Sequence, residues 1–276
     1  MLVLIEKSMS STAAVLDQEF KEIIQSVLEE TESLLLINPA PKVFREFVLT
    51  VSEVDDHLPD IQVLASPDVL KTVTDDFIVA SQISDLIEQE TLALRATTEI
   101  SRNSLLVSDD QVVAFLAIDG KLSGLSSEDD EFVDNVRSTF NDEWETSNDF
   151  NLRTPPLSRV KKTLREEFGD EVEDDFMTVL DSVESVPGEE NELDEVTIAL
   201  LVGAKNNELL YDISKWGEDT GVASKATFSR TKTRLEDRNV IETEKVPIEI
   251  GRPRLRLLLV EDNLQNSEDL IEQVDA

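Results

Sequence analysis

Residues 209–238 read LLYDISKWGEDTGVASKATFSRTKTRLEDR. Leu209, Leu210, Ile213 and Trp216 recur at helical spacing and stop near Gly217 to Gly221, and Ser224 then supplies a side-chain oxygen suited to cap a second helix, Lys225 to Arg238. Upstream, Leu193 to Ala204 is an apolar helix. Downstream, Ile241 to Val246 and Leu255 to Val260 are short extended runs joined by PIEIGRPR, residues 247–254. Helix, helix, turn, helix and hairpin in that order predict a winged helix-turn-helix over 191–262.

At about 100° per residue, Phe228, Thr231 and Leu235 share one side of the helix 225–238 and are expected to face a core. Ala226, Ser229, Arg230 and Thr233 lie opposite, with Thr227 and Arg234 at a margin. Small residues let a helix sit deep in a major groove, and Ser, Thr and Arg offer donors and acceptors to base edges and phosphates. From Gly221 to Val260 there are nine basic and five acidic residues, a cationic island in a chain whose 60 Asp and Glu against 25 Lys and Arg give a net charge of −35. The expected DNA contacts are Lys225, Thr227, Ser229, Arg230, Thr233, Arg234, Lys245, Arg252 and Arg254, the last two flanking a proline at the wing tip. The alternatives are a helix-turn-helix used for protein interaction and a Gly-Arg-Pro-Arg segment that is only a turn.

The rest of the chain reads as an α/β domain over 1–150. An amphipathic helix spans 11–30, with Leu16, Phe20, Ile23, Ile24 and Val27 on one face, and is a candidate interface for a second copy. Leu34 to Ile37 and Ile61 to Leu64 read as buried strands, alternating with helices from Lys42 and from Pro67, the latter broken at Asp75-Asp76. From Leu92 onward, short apolar runs separated by Asp109-Asp110 and Asp119-Gly120 predict an antiparallel meander, closed by a helix over 128–148. Residues 151–190 read as two linking helices and a linker, and 263–276 as an acidic tail.

With no cysteine, one histidine and eight glycines, the chain has no material for disulfides, Cys-based zinc sites, G-x-G-x-x-G or Walker loops, and the reading is of a non-enzyme without cofactor, metal site or catalytic residues. His57 reads as a solvated loop residue. Acidic pairs at Asp55-Asp56, Asp75-Asp76, Asp109-Asp110, Asp129-Asp130 and Asp174-Asp175 are expected from composition, although a carboxylate-metal hydrolase with an appended DNA module is the enzymatic alternative. Arg95 and Arg102 are the candidates for a small anionic metabolite. Arg153, Arg159, Lys161, Lys162 and Arg165 either reach phosphate or pair with the acidic helix that follows. No apolar stretch is long enough for a signal-peptide core or a membrane span, so a cytoplasmic, membrane-free protein is expected. At molar salt the Debye length is about 3 Å, so a surface this acidic suits a salt-accumulating host.

The runs LLYDISKWGED (209–219), ASKATFSR (223–230), TEKVP (243–247) and GRPR (251–254), with NSLLV (103–107) and LRTP (152–155), resemble the haloarchaeal transcriptional regulators of the TbsP type. The resemblance covers most of the chain. It implies a salt-adapted transcription factor with a winged-helix reader and an N-terminal ligand module. The reading of the residues themselves is of a regulator that binds double-stranded promoter DNA, with residues 1–150 dimerising, sensing a small molecule, or both.

Overall fold

The computed structural model describes residues 13–54, 57–98, 103–118, 121–184, 193–249 and 251–260. The Asp55-Asp56 pair, Arg102, the Asp119-Gly120 turn, the linker at 185–191 and the acidic tail lie outside the described residues. The chain divides into two compact units, Met1–Leu152 and Arg153–Ala276.

Helix α1 (Ala13–Glu30) opens the first unit, followed by β1 (Ser33–Ile37), α2 (Pro41–Ser52), β2 (Asp60–Ala65), α3 (Pro67–Thr74), α4 (Phe77–Glu88) and β3 (Leu92–Ala96). Then come β4 (Ser104–Val107), β5 (Val112–Ile118), β6 (Lys121–Ser127), α5 (Asp130–Thr146) and β7 (Asn148–Asp149). Among the described residues, the strands form one seven-stranded sheet in the order β6-β5-β4-β1-β2-β3-β7. β1, β2 and β3 are parallel, β4, β5 and β6 form the expected antiparallel meander, and β7 is antiparallel to β3. One expectation is corrected: Leu92-Ala93-Leu94 belongs to a third parallel strand, not to the meander, because α3 and α4 carry the chain back across the sheet before it.

Alternation in the strands divides the core. Leu34, Leu36, Leu106, Val113 and Phe115 face helices α1 to α4, whereas Leu35, Ile37, Val107 and Val112 face Val133 and Trp144 of α5. The face of α1 expected to meet a second copy is occupied by the unit's own core: Phe20, Ile24, Val27 and Leu28 are buried, and the Phe20 and Phe115 rings pack 5.3 Å apart. That expectation is therefore withdrawn.

Each of the four described acidic pairs has a member with an intramolecular role. Asp76 caps α4 by accepting from the Ile78 and Val79 amides, and Asp129 caps α5 by accepting from Phe132. Asp175 accepts from Lys205 and Asn206. Asp109, in the turn between β4 and β5, accepts from Thr31 Oγ1 at 2.8 Å, from the amide of Glu32 at 3.0 Å, from Ser33 Oγ at 2.9 Å and from Arg137 on α5. Burial opposes its ionisation and is the largest single influence, but the hydrogen bonds from Arg137, Thr31, Glu32 and Ser33 together outweigh it and hold the carboxyl well below the ordinary range. A depressed carboxyl stabilises the fold above its unfolded pKa and loses that effect as pH falls toward its folded one. Asp109→Asn should therefore cost about 1–2 kcal/mol at neutral pH, a value discounted for the carboxylate's partial exposure, and the gap from wild type should narrow below about pH 4. Thermal melts of both proteins from pH 7 to pH 3 check this; a gap that widens in acid would contradict it.

The second unit holds α6 (Leu157–Phe168), α7 (Asp170–Glu184), α8 (Glu195–Lys205), α9 (Leu210–Thr220), α10 (Lys225–Asp237), β8 (Ile241–Val246) and β9 (Arg254–Leu259). The helices read from sequence as a link pack inside this unit. Trp216 of α9 is buried, meets Phe168 and Phe176 edge-on at 6.4 and 6.2 Å, and donates from Nε1 to Thr163 Oγ1 at 2.9 Å. Trp216 is thus a core residue whose polar handle is satisfied by α6.

Candidate nucleic-acid interface

Two glycines set the turn between α9 and α10. Gly221 ends α9 in the left-handed region at φ 93°, a conformation glycine adopts without a side-chain clash. Gly217 brings the helices together: a Cβ there would lie 2.3 Å from Cε2 of the fully buried Phe228. Ser224 then caps α10, its hydroxyl accepting from the Thr227 amide at 3.2 Å. Phe228, Thr231 and Leu235 are buried as the wheel requires, and Ala226, Ser229, Arg230 and Thr233 are exposed on the opposite side. β8 and β9 pair antiparallel from Ile241↔Leu259 to Val246↔Arg254, and the Leu257 amide donates to the Glu208 carbonyl at 2.9 Å, fastening the ribbon to the start of α9. Gly251, at φ 117°, turns the loop between the strands.

The predicted contact residues are not equally free. Arg230 has only a 3.4 Å approach to Thr227 Oγ1, and Ser229, Thr233, Lys245 and Arg252 are exposed. Lys225 is exposed but bonded to Glu218 of α9; that bond is the main influence raising the lysine and lowering the glutamate, so both stay ionised. Arg234 donates to Thr197 Oγ1 of α8 at 3.1 Å. Arg254 donates from Nη1 to both carboxylate oxygens of Asp212, at 3.1 and 3.3 Å, and lies 4.3 Å from the Tyr211 ring centroid, which ties the wing to α9. Sequence reasoning missed this clamp because its partners are 42 residues apart. Arg252, Pro253, Ile248 and Tyr211 border a groove of about 470 Å³ beside it. Nearby, burial raises the Glu208 carboxyl, Asp212 adds to that, and Arg256 opposes both.

Other candidates are engaged elsewhere. Arg95 donates to Asp149 Oδ1 at 3.0 Å and to the Trp144 carbonyl, with its guanidinium 4.8 Å from the Trp144 ring, so it clamps β7 and the end of α5 and is not free for an anion. Of the 153–165 cluster, Arg165 pairs with Glu173 at 2.7 Å and Asp170 at 3.0 Å, the intramolecular alternative. His57 is exposed outside helix and strand. Among the described residues, no group of three or more His, Cys, Asp or Glu could hold a metal ion, and no helix is long and apolar enough to cross a membrane.

Comparison with known proteins agrees with this architecture across nearly the whole chain. A family model described as "Transcriptional regulator TbsP-like, N-terminal" matches residues 12–155, and one described as "Transcriptional regulator TbsP-like, C-terminal HTH domain" matches residues 156–275. No curated protein matches. Among solved structures, the chain is similar to TrmBL2, an archaeal chromatin protein whose structure was described as showing a novel mode of DNA binding. Identity is 19%, the TM-score is 0.35, and the match covers 49% of this chain and 52% of the other, so the chain spans about half that protein's length. With both halves matched by models of one family, the chain belongs to the TbsP-like transcriptional regulators.

Proposed function

We propose that the protein regulates transcription by sequence-specific binding to promoter DNA, with α10 in a major groove and the β8–β9 wing against the adjacent backbone or minor groove. One observation carries the reading: α10 is fixed by Phe228, Thr231 and Leu235 so that Ser229, Arg230 and Thr233, small or hydrogen-bonding side chains, are left exposed in a row. Arg252 and Lys245 supply the wing's free charge, and Arg254 acts mainly by stiffening the wing through Asp212 and Tyr211. Lys225 exchanges Glu218 for a phosphate when it binds, an exposed ion-pair exchange of small net free energy. The acidic remainder discourages nonspecific DNA and keeps the protein dispersed in a salt-rich cytoplasm. The first unit joins two copies so that two readers meet two half-sites.

The test is binding of the full chain to promoter fragments recovered by genome-wide occupancy mapping, across a range of KCl. Arg252→Ala should weaken binding to every sequence alike and reduce the slope of log affinity against log salt by about 1. A change in base preference with an unchanged slope would remove Arg252 from the backbone contact.

A further inference from the structure

The two edges of the seven-stranded sheet are finished differently. At one, β7 is two residues long and places Asp149 beside Arg95, a short charged strand of the kind that discourages further pairing. At the other, β6 runs for seven residues, KLSGLSS, with no proline, no acidic residue and, among the described residues, no further strand beside it. Along the α5 face of this edge, coverage ends at Val112: by alternation Leu116 and Leu125 lie on the same face, 44% and 47% exposed.

We propose that this edge joins two copies of the chain, β6 pairing antiparallel with β6 of the second copy while Leu116 and Leu125 close over the seam. Charge selects the occupant. A two-fold contact sets one surface against itself, so in a chain of net charge −35 it must use ground without carboxylates, and neither β5 nor β6 carries any. The resulting sheet is continuous through both copies. This deepens the dimerisation step of the proposed function and assigns it to a surface distinct from the face of α1, which the core occupies.

Sedimentation equilibrium of the full chain in molar KCl tests it, alongside Leu125→Lys and a Ser126→Cys variant in a protein that otherwise lacks cysteine. The wild type should be a dimer. Leu125→Lys should melt at an unchanged temperature yet dissociate at least about 30 times more readily, because a two-fold contact loses the side chain twice. Pairing centred on Gly124 sets the two Ser126 Cα atoms about 14 Å apart, too far for a direct disulfide, so a bismaleimide linker of that reach should join Ser126→Cys into a covalent dimer, a readout that stands even if the lysine variant folds poorly. A dimer indifferent to Leu125→Lys, a monomer at every concentration, or a dimer that forms only after removal of residues 1–8 would each overturn the assignment. Binding of the same proteins to a single half-site separates this from the DNA reading: Leu125→Lys should keep half-site binding, and loss of half-site binding by the wild type would sink the reader while leaving the edge contact to sedimentation.

Discussion

Gly217→Ala should destabilise the second unit by about 2–3 kcal/mol, although replacing glycine by alanine inside a helix ordinarily stabilises by up to about 1 kcal/mol. The sign is decided by space. An alanine Cβ would stand 2.3 and 2.4 Å from Cε2 and Cζ of Phe228, whose fully buried ring has no room to retreat without moving α10. That shift would also displace Ser229 and Arg230, so DNA affinity should fall further than stability alone explains. Denaturant unfolding of the variant checks the first part. Phe228→Leu in the alanine background should recover part of the loss, a coupling that independent sites would not show. An alanine variant as stable as wild type would mean that the two helices do not approach as described.

Why this glycine was not legible shows where sequence reading stops. The wheel of α10 depends only on spacing within one helix, and burial of Phe228, Thr231 and Leu235 followed from it. Gly217 looked like part of a helix stop, yet it lies inside α9 and matters for what faces it across the turn. The same distinction runs through the first unit. Asp75-Asp76 was readable as a break because a cap is local, and Asp76 does cap α4. The direction of β3 was not, since a hairpin and a crossover helix both lead into an apolar run such as Leu92-Ala93-Leu94. α1 displayed an amphipathic face but nothing local to say whether its own core or another copy would cover it. Sequence alone offers Arg95 to an anionic metabolite and Arg234 and Arg254 to DNA; each meets a partner 37 to 54 residues away.

Arg230→Ala should lower affinity for the operator by about 1–3 kcal/mol, roughly 5- to 150-fold, and relax discrimination at one base position. Its guanidinium is exposed and held only by the long approach from Thr227, so removing it should leave the melting temperature within a degree or two of wild type. Arg234→Ala provides the contrast. It breaks a bond to buried Thr197 and should reduce stability more than base preference. The effect of Arg230 should persist in molar KCl, where counterion release contributes little and contacts to base edges carry a larger share of the affinity. Competition binding against single-base operator variants reads both quantities, and undiminished affinity for Arg230→Ala would remove this residue from the reading surface.

The placement of α10 itself can be observed directly because the chain has no cysteine. A single cysteine at exposed Asp237, at the end of α10 remote from its cap, can carry an iron chelate that cleaves nearby DNA. With the protein bound to its operator, strand cuts should cluster inside the footprint on either side of one major groove, once per half-site. Full occupancy of the operator with no cuts from that position would show that α10 does not lie against the duplex.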